Sequence, residues 1–410
     1  MKKEVAIVTS GYFPVPPVLG GAVETLIDLI VRENENENEI NLTIFSCFNK
    51  EAKEISSKYV ATTVKYVITP RMLQGIDKLI YFFAKNILRR KKHMSYRYIL
   101  QRLYFIKYVR KELLTGEYDR VLLENNPILL STVSSKAHRK KYKNKYYYHA
   151  HNTIYSEFGN GKLLRECKAI ISVSEFISNQ IKDKIGFAVG PEYKVLRNRI
   201  DEEKFRTVDS RQTKDLRKKY GINNDEIVVL FTGRLNAEKG VKELIKAFEN
   251  AKIENSRLVI CGSYYFGSSM KSLYEMELLD AIKKIEKKVI FTGFVEYEKM
   301  PIFYAMADII AAPSLWDEPA CLAAIEAITA GKPLVTTNAG GIPEYAKPEY
   351  AYIIDKNSDI VSELTNALSQ LANDSNLRKK YADNATKESE QWTKKSYYID
   401  FLKCINAERI

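Results

Sequence analysis

The sequence predicts an α/β protein built from two doubly wound, Rossmann-like domains, and three observations predict it. At 410 residues the chain is too long for one ordinary core and suits two. Short apolar runs alternate with amphipathic helical patterns, as in parallel sheets covered on both faces. The alternation occurs twice, on either side of the polar stretch "DEEKFRTVDSRQTKDLRKKYGINND", residues 201–225, which reads as the join.

In order, the first series offers "EVAIVTS", "INLTIFS", "TTVKYVI", "YDRVLLE", "KYYYHAH" and "AIISVS" as strands, with helical patterns "AVETLIDLIVREN" and "EFISNQIKDKI" among them. The short "ENENENE" at 33–39 reads as a solvated turn. The second series offers "EIVVLFTG", "RLVICGS", "VIFTG", "DIIAAPS", "PLVTT" and "AYIID". The expected boundaries are 1–200 for the first domain and 201–392 for the second, with a cleft between them. The last helical pattern, "KKSYYIDFLKC" within 393–410, has an aromatic face that needs cover and is expected to pack back across the join.

Composition excludes several classes. With 45% hydrophobic and 28% charged residues, the chain is globular rather than disordered. Cys47, Cys167, Cys261, Cys321 and Cys404 are scattered and never in CxxC spacing, which argues against a disulfide framework or zinc site and fits a reducing cytosol. The start, "MKKEVAIVTSG", lacks a signal-peptide core. No apolar run approaches the roughly 18 to 20 residues of a membrane helix. The expectation is a cytoplasmic protein, soluble or lying on a membrane without crossing it. A net charge of +13 calls for an anionic partner: nucleic acid, an acidic lipid surface or a phosphorylated substrate.

Four stretches carry chemistry. "SGYFPVPPVLGGAVETL" enters a helix through Gly20 and Gly21, where backbone N–H groups can approach an anion; the other reading is a flexible loop with a glycine cap. In "LFTGRLNAEKGVKELIKAF", Arg234 and Lys239 flank the loop after a strand, where open α/β sheets bind ligands. A planar fork and a mobile point charge suit a diphosphate, although solvated surface cations are common. In "WDEPACLAAIEAITAGKPLV", a helix is expected over 322–330, with Glu318 in the loop ahead of it and the Leu322 and Ala323 N–H groups unsatisfied. Glu326 falls inside that apolar helix and needs a partner: a vicinal diol such as a ribose, or an internal arginine. "NAGGIPEYA", residues 338–346, places two glycines at a strand exit, and Glu344 reads as serving the N-terminus of a helix that starts there.

Together "GGAVE", "GRLNAEKG", "EPACLAAIE" and "AGGIPE" resemble, in order and context, the retaining glycosyltransferases of family 4, which have the GT-B fold. The eight-residue step from Glu318 to Glu326 is the most specific mark, and the resemblance runs from about Val5 to Trp392. It implies that Arg234 and Lys239 grip the donor diphosphate, that Glu326 holds the donor ribose, and that Glu318 faces the transferred sugar. Leu322 and Ala323 then present N–H groups to donor oxygens, Gly20 and Gly21 face the diphosphate, and Phe294 meets the base through its backbone. Packing is the alternative for Phe294. In "YYYHAHNT" the family places a histidine that bonds the donor sugar; His151, followed by Asn152, fits better than His149, and a purely structural histidine is the other reading. The chain departs from the pattern at Arg199, where relatives carry glycine, and at Cys321, where many carry phenylalanine. The sequence has no DxD pair, so no metal and no other cofactor is expected.

From Arg71 to Lys111 the chain has twelve Lys and Arg against one acid, Asp77, with "LIYFF" and "LYFIKY" at helical spacing. With the second cluster in 136–145, this suits an anionic membrane surface at ~1 kcal/mol per basic residue. The alternative is that the aromatics are core and the lysines a solvated face. No nucleic-acid recognition motif accompanies the charge. The expectation is therefore a metal-independent hexosyltransferase-type enzyme. It would move a sugar from a UDP-linked donor to a glycan or lipid-linked acceptor at the inner face of the plasma membrane, in cell-surface polysaccharide assembly. The alternatives are a catalytically inactive nucleotide-sugar binder and a basic nucleic-acid-binding protein.

Overall fold

The computed structural model describes residues 2–87, 97–186, 190–263 and 273–408. The chain divides into two compact units, Met1–Arg197 with Tyr397–Ile410, and Asn198–Ser396.

In the first unit, the described strands are β1 (Lys3–Val8), β2 (Ile40–Cys47), β3 (Thr62–Val67), β4 (Arg120–Glu124), β5 (Tyr146–Ala150), β6 (Ala169–Ser172) and β7 (Glu192–Val195). They form one sheet in the order β3-β2-β1-β4-β5-β6-β7, and every neighbouring pair is parallel. Six strands fall on the expected runs. The seventh, "EYKV", is half-exposed at the sheet edge and lacks the apolar run of its neighbours. Three helices position the site: α1 (Ala22–Glu37), α2 (Arg71–Phe82) and α3 (Ile99–Thr115).

The "ENENENE" stretch is not a solvated turn. α1 continues through Glu37 and ends at Asn38 in the left-handed conformation, φ 52°. Leu26, Ile27, Leu29, Ile30 and Val31 are buried along α1, each contributing about 2 kcal/mol. Asn34, fully buried, carries the helix one turn further because its amide is satisfied. Its Nδ2 donates to Ile40 O (3.2 Å) and Ala61 O (3.3 Å), while Oδ1 accepts from Ile40 N (3.3 Å) and the Tyr398 hydroxyl (2.6 Å). Alternating Glu and Asn read as solvent-facing only if these bonds are unseen.

In the second unit, β8 (Ile227–Thr232), β9 (Ser256–Cys261), β10 (Val289–Gly293), β11 (Ile309–Ala312), β12 (Leu334–Thr337) and β13 (Ala351–Ile354) form a parallel sheet. The order is β10-β9-β8-β11-β12-β13. Counted within the unit, this is the dinucleotide-fold order 3-2-1-4-5-6, and the first six strands of the first unit repeat it. The strand order reverses between β1 and β4 in one unit and between β8 and β11 in the other. In sheets of this class ligands bind outside the strands' carboxyl ends at such reversals. Residues 201–225, expected as a join, form helices Glu202–Arg206 and Ser210–Lys219 within the second unit. Next to the site lies α4 (Leu322–Thr329). The last helix, α5 (Lys394–Cys404), places Tyr397, Tyr398, Phe401 and Leu402 in the core of the first unit beside Leu26 and Ile30.

Candidate active site

At the β8–β11 reversal, two glycine contacts set the geometry. After β8 the chain makes a short turn, Ala237–Lys239, closed by Gly240 at φ 68°. A Cβ on Gly240 would stand 2.1 Å from Pro313 O. The turn therefore lies directly on the segment leaving β11, and Leu315 N donates to Glu238 O (2.8 Å). Gly340, at φ 60°, does the same for the loop after β12: a Cβ there would lie 2.5 Å from Glu318 O and 2.6 Å from Glu318 N. Gly341 N donates to Glu318 O (2.7 Å).

These approaches bring charges together. The Lys239 ammonium donates to Glu318 Oε1, which also accepts from the Ser314 hydroxyl. Glu318 is 4% exposed, so its charge needs both donors. Arg234, on the same loop as Lys239, is exposed, and among the described residues it has no ion-pair partner. One cation is thus engaged internally and the other faces solvent.

α4 starts one residue after Cys321, which supplies no side-chain cap, and its first turn leaves the Leu322 and Ala323 N–H groups without helical acceptors. Glu326, in its second turn, is 6% exposed. Its partner is neither an arginine nor solvent: the Tyr304 hydroxyl donates to Oε2 at 2.6 Å, and Tyr297 supplies a second hydroxyl. Burial pushes the carboxyl up to about 7, against the pull of these two hydrogen bonds. Phe294 lies just after β10 and is 40% exposed. Arg199 lays its guanidinium over the Trp392 ring at 5.0 Å.

In the first unit, α1 begins after Gly21. The Glu24 carboxyl lies over that glycine, with Oε2 2.3 Å from where a Gly21 Cβ would be, and its Oε1 accepts from Ser10 (3.1 Å). Burial pushes Glu24 up to about 7, and the nearby Glu124 adds to this. The N-terminus expected to meet an anion thus holds an acid of its own.

Across the sheet, Glu124 at the end of β4 is in register with His149 on β5, and the two-residue strand period puts His151 on the same face. His151 Nε2 lies 2.9 Å and His149 Nδ1 3.1 Å from Glu124 Oε2, and the two ring nitrogens are 3.2 Å apart. Asn125 Oδ1 accepts from the His151 N–H (3.1 Å). Burial, then His149, lowers His151 to about 4. Burial raises Glu124, but the two imidazoles outweigh it and hold the carboxylate at about 2. At neutral pH His151 is therefore an uncharged ring whose Nε2 is held by Glu124, leaving Nδ1 as its other polar atom. Among the described residues this trio has the residue types and proximity to hold a metal ion, yet its spacings are those of hydrogen bonds.

Sequence reasoning did not single out Glu124, Glu24, Ser314, Tyr304 or Tyr297. "VLLE" closing a buried strand and "HAH" at strand period were the available signals for the first; the β4–β5 register that joins them is not written in either.

The fold and this arrangement define a GT-B glycosyltransferase architecture. A solved structure of Anabaena HepE in complex with UDP and glucose superposes with a TM-score of 0.71 at 19% identity, covering 99% of this chain and 100% of that one. Residues 212–388 match the family described as glycosyl transferases group 1. A putative glycosyltransferase of Bacillus subtilis, YtcC, is 28% identical over 94% of this chain and 88% of its own length. The lipopolysaccharide 1,2-N-acetylglucosaminetransferase of Salmonella typhimurium is 34% identical over 32% of this chain and 35% of its own.

Proposed function

We propose that the chain is a retaining glycosyltransferase that moves a sugar from a nucleotide-diphosphate donor, UDP-linked, to a glycan or lipid-linked acceptor in cell-surface polysaccharide assembly. The observation that carries this reading is the grouping of Arg234, Lys239, Glu318, Glu326 and the uncapped start of α4 at one reversal of strand order. Support comes from the HepE complex, which holds UDP and glucose, and from the Salmonella relative, a lipopolysaccharide 1,2-N-acetylglucosaminetransferase.

In this reading the donor diphosphate lies against Arg234, Lys239 and the Leu322 and Ala323 N–H groups. Lys239 then exchanges part of its contact with Glu318 for phosphate oxygen, and Glu318 faces the sugar. Glu326, released from tyrosine hydroxyls or sharing them, accepts from the ribose diol, and the Phe294 backbone meets the base. In the first unit the same reading assigns substrate contacts to Gly20, Gly21 and His151. As the sugar carbon–phosphate oxygen bond breaks, charge grows on the leaving diphosphate and is met by groups already in place, each worth ~10²–10³ in rate. The acceptor hydroxyl bonds to the sugar carbon on the face being vacated, and its proton passes to the leaving phosphate oxygen. No step uses a metal ion or a protein general base.

The reading places the enzyme at the inner face of the plasma membrane through α2. Met72, Ile76, Leu79 and Phe82 form one stripe at helical spacing, and each is exposed, Met72 by 70%. Lys78 and Arg71 flank them, a composition that suits an anionic lipid surface. The aromatic face of α3 differs: Phe105 and Ile106 are buried core. Residues 88–96 of the basic region lie outside the described residues. In the second cluster, Arg139 pairs with Glu166 and Lys141 with Glu117, leaving Lys136, Lys140 and Lys143 outward.

Thermal shift against UDP, GDP and ADP tests the donor reading. UDP is expected to stabilise the chain most, and no stabilisation by any of the three would overturn it.

A further inference from the structure

In the first unit, two neighbouring aromatic rings are each covered by a cation beside the loop that leaves β1. The Arg102 guanidinium stacks over Tyr12 at 4.5 Å, the Tyr12 and Tyr98 rings lie 5.9 Å apart, and Arg97 covers Tyr98 at 5.1 Å. Tyr12 belongs to the carboxyl-end loop of β1 and Arg102 to the first turn of α3. The loop is seated on that helix: a Cβ on Gly11 would lie 3.1 Å from the Phe105 ring. The group therefore sits at the edge where this sheet class binds ligands.

Arg102 is half-buried, and its Nε is buried with no hydrogen-bond acceptor. Among the described residues no carboxylate pairs with Arg102 or Arg97. Asp77, the one acid of the surrounding 71–111 stretch, is taken up elsewhere. It accepts from Leu100 N (2.9 Å), Gln101 N (3.0 Å) and Gln101 Nε2 (3.1 Å). That carboxylate fills the N-terminus of α3 and leaves the guanidinium beyond it uncompensated. Burial correspondingly lowers the Arg102 pKa, with no acid opposing it. A partly desolvated guanidinium with an orphan N–H is costly unless an anion meets it. Its planar fork matches phosphate oxygens in pairs.

We propose that Arg102, with Tyr12, Tyr98 and Arg97, binds a phosphate or diphosphate group carried by the acceptor. This deepens the transferase reading and rests on it. The same Asp77 that fixes the start of α3 sits on α2, whose opposite face carries the exposed Met72, Ile76, Leu79 and Phe82. An anion site joined through one residue to an apolar stripe suits an amphiphilic phosphate, a lipid-linked one, more than a free one.

The test titrates the full chain, with UDP saturating so that the donor diphosphate site is filled, with farnesyl diphosphate, inorganic pyrophosphate and farnesol. Farnesyl diphosphate is expected to bind wild type, and Arg102→Gln to weaken it by about tenfold or more while UDP affinity stays unchanged. Arg102→Lys, which keeps the charge but loses the fork, should fall between. Tighter binding of farnesyl diphosphate than of pyrophosphate assigns a lipid-linked phosphate; equal binding assigns the phosphate alone. Wild type binding neither diphosphate, farnesol binding as tightly as farnesyl diphosphate, or Arg102→Gln binding like wild type would each overturn the proposal. If Arg102→Gln loses its fold, the exposed Arg97→Gln serves instead, with a several-fold loss expected and no loss overturning it. Failure of UDP to bind strikes the transferase reading alone, and the diphosphate titrations are still read in its absence.

Discussion

Lys239 and Glu318, from the loops after β8 and β11, form an ion pair in which the lysine side chain is 19% and the glutamate side chain 5% exposed. The pair exists because Gly240 and Gly340 let three loops close on one another. Its partners are unequal. Glu318 is enclosed and keeps the Ser314 hydroxyl, whereas Lys239 retains some access to solvent and can turn to a second anion.

Lys239→Ala should therefore act twice. Turnover falls by ~10²-fold or more if the ammonium meets leaving-group charge. Stability falls by about 3 kcal/mol, because Glu318 is left buried with one donor. Single-turnover rates and urea midpoints read the two effects separately, and near-normal turnover would remove Lys239 from the mechanism.

Glu326 gives a pH signature. Burial holds its carboxyl at about 7 in the folded chain, well above the 4.5 of a free glutamate. A group whose pKa is raised by folding stabilises the fold while protonated, fully so below the unfolded pKa, and this contribution is lost as pH rises through about 7. The stability of Glu326→Gln relative to wild type should therefore rise by about 3 kcal/mol between about pH 4.5 and 8. Urea unfolding of the nucleotide-free proteins measures it. A pH-independent difference would show that the carboxyl is not held protonated.

Glu124→Gln tests the histidine trio. The carboxamide keeps one acceptor oxygen but puts an NH2 donor in place of the other and removes the charge that both imidazoles meet, at a cost of about 2 kcal/mol. Nitrogen NMR of the imidazoles should show His151 Nε2–H in wild type at neutral pH and a mixture of tautomers in the variant. Unchanged tautomers would mean that Glu124 does not set them.

The proposed membrane attachment rests on one helix. Leu79→Asp with Phe82→Asp should abolish flotation with vesicles containing anionic phospholipid, with the folding midpoint nearly unchanged because both side chains are exposed. Undiminished flotation would assign the surface elsewhere.

Much of the scaffold was legible because parallel strands covered on both faces are continuous apolar runs, and because α4 is bracketed by Pro319 and Gly331. Legibility failed where a residue's environment comes from distant chain. Asn34 looks solvated until Ile40, Ala61 and Tyr398 are placed around it. Glu326 called for a partner, and the sequence offered a diol or an arginine; the two tyrosines come from the stretch after β10 and the helix that follows it. Glu124 gains meaning only from the β4–β5 register. Charge pairs joined across loops leave no periodic trace, whereas faces of helices and strands do.

The central claim, a nucleotide-diphosphate donor site in the second unit with Glu326 at the ribose, is tested most directly by isothermal titration of UDP into wild type and Glu326→Ala. The account predicts binding to wild type and a loss of about tenfold or more in the variant. Equal affinity in the two proteins, or no binding to wild type, would contradict it.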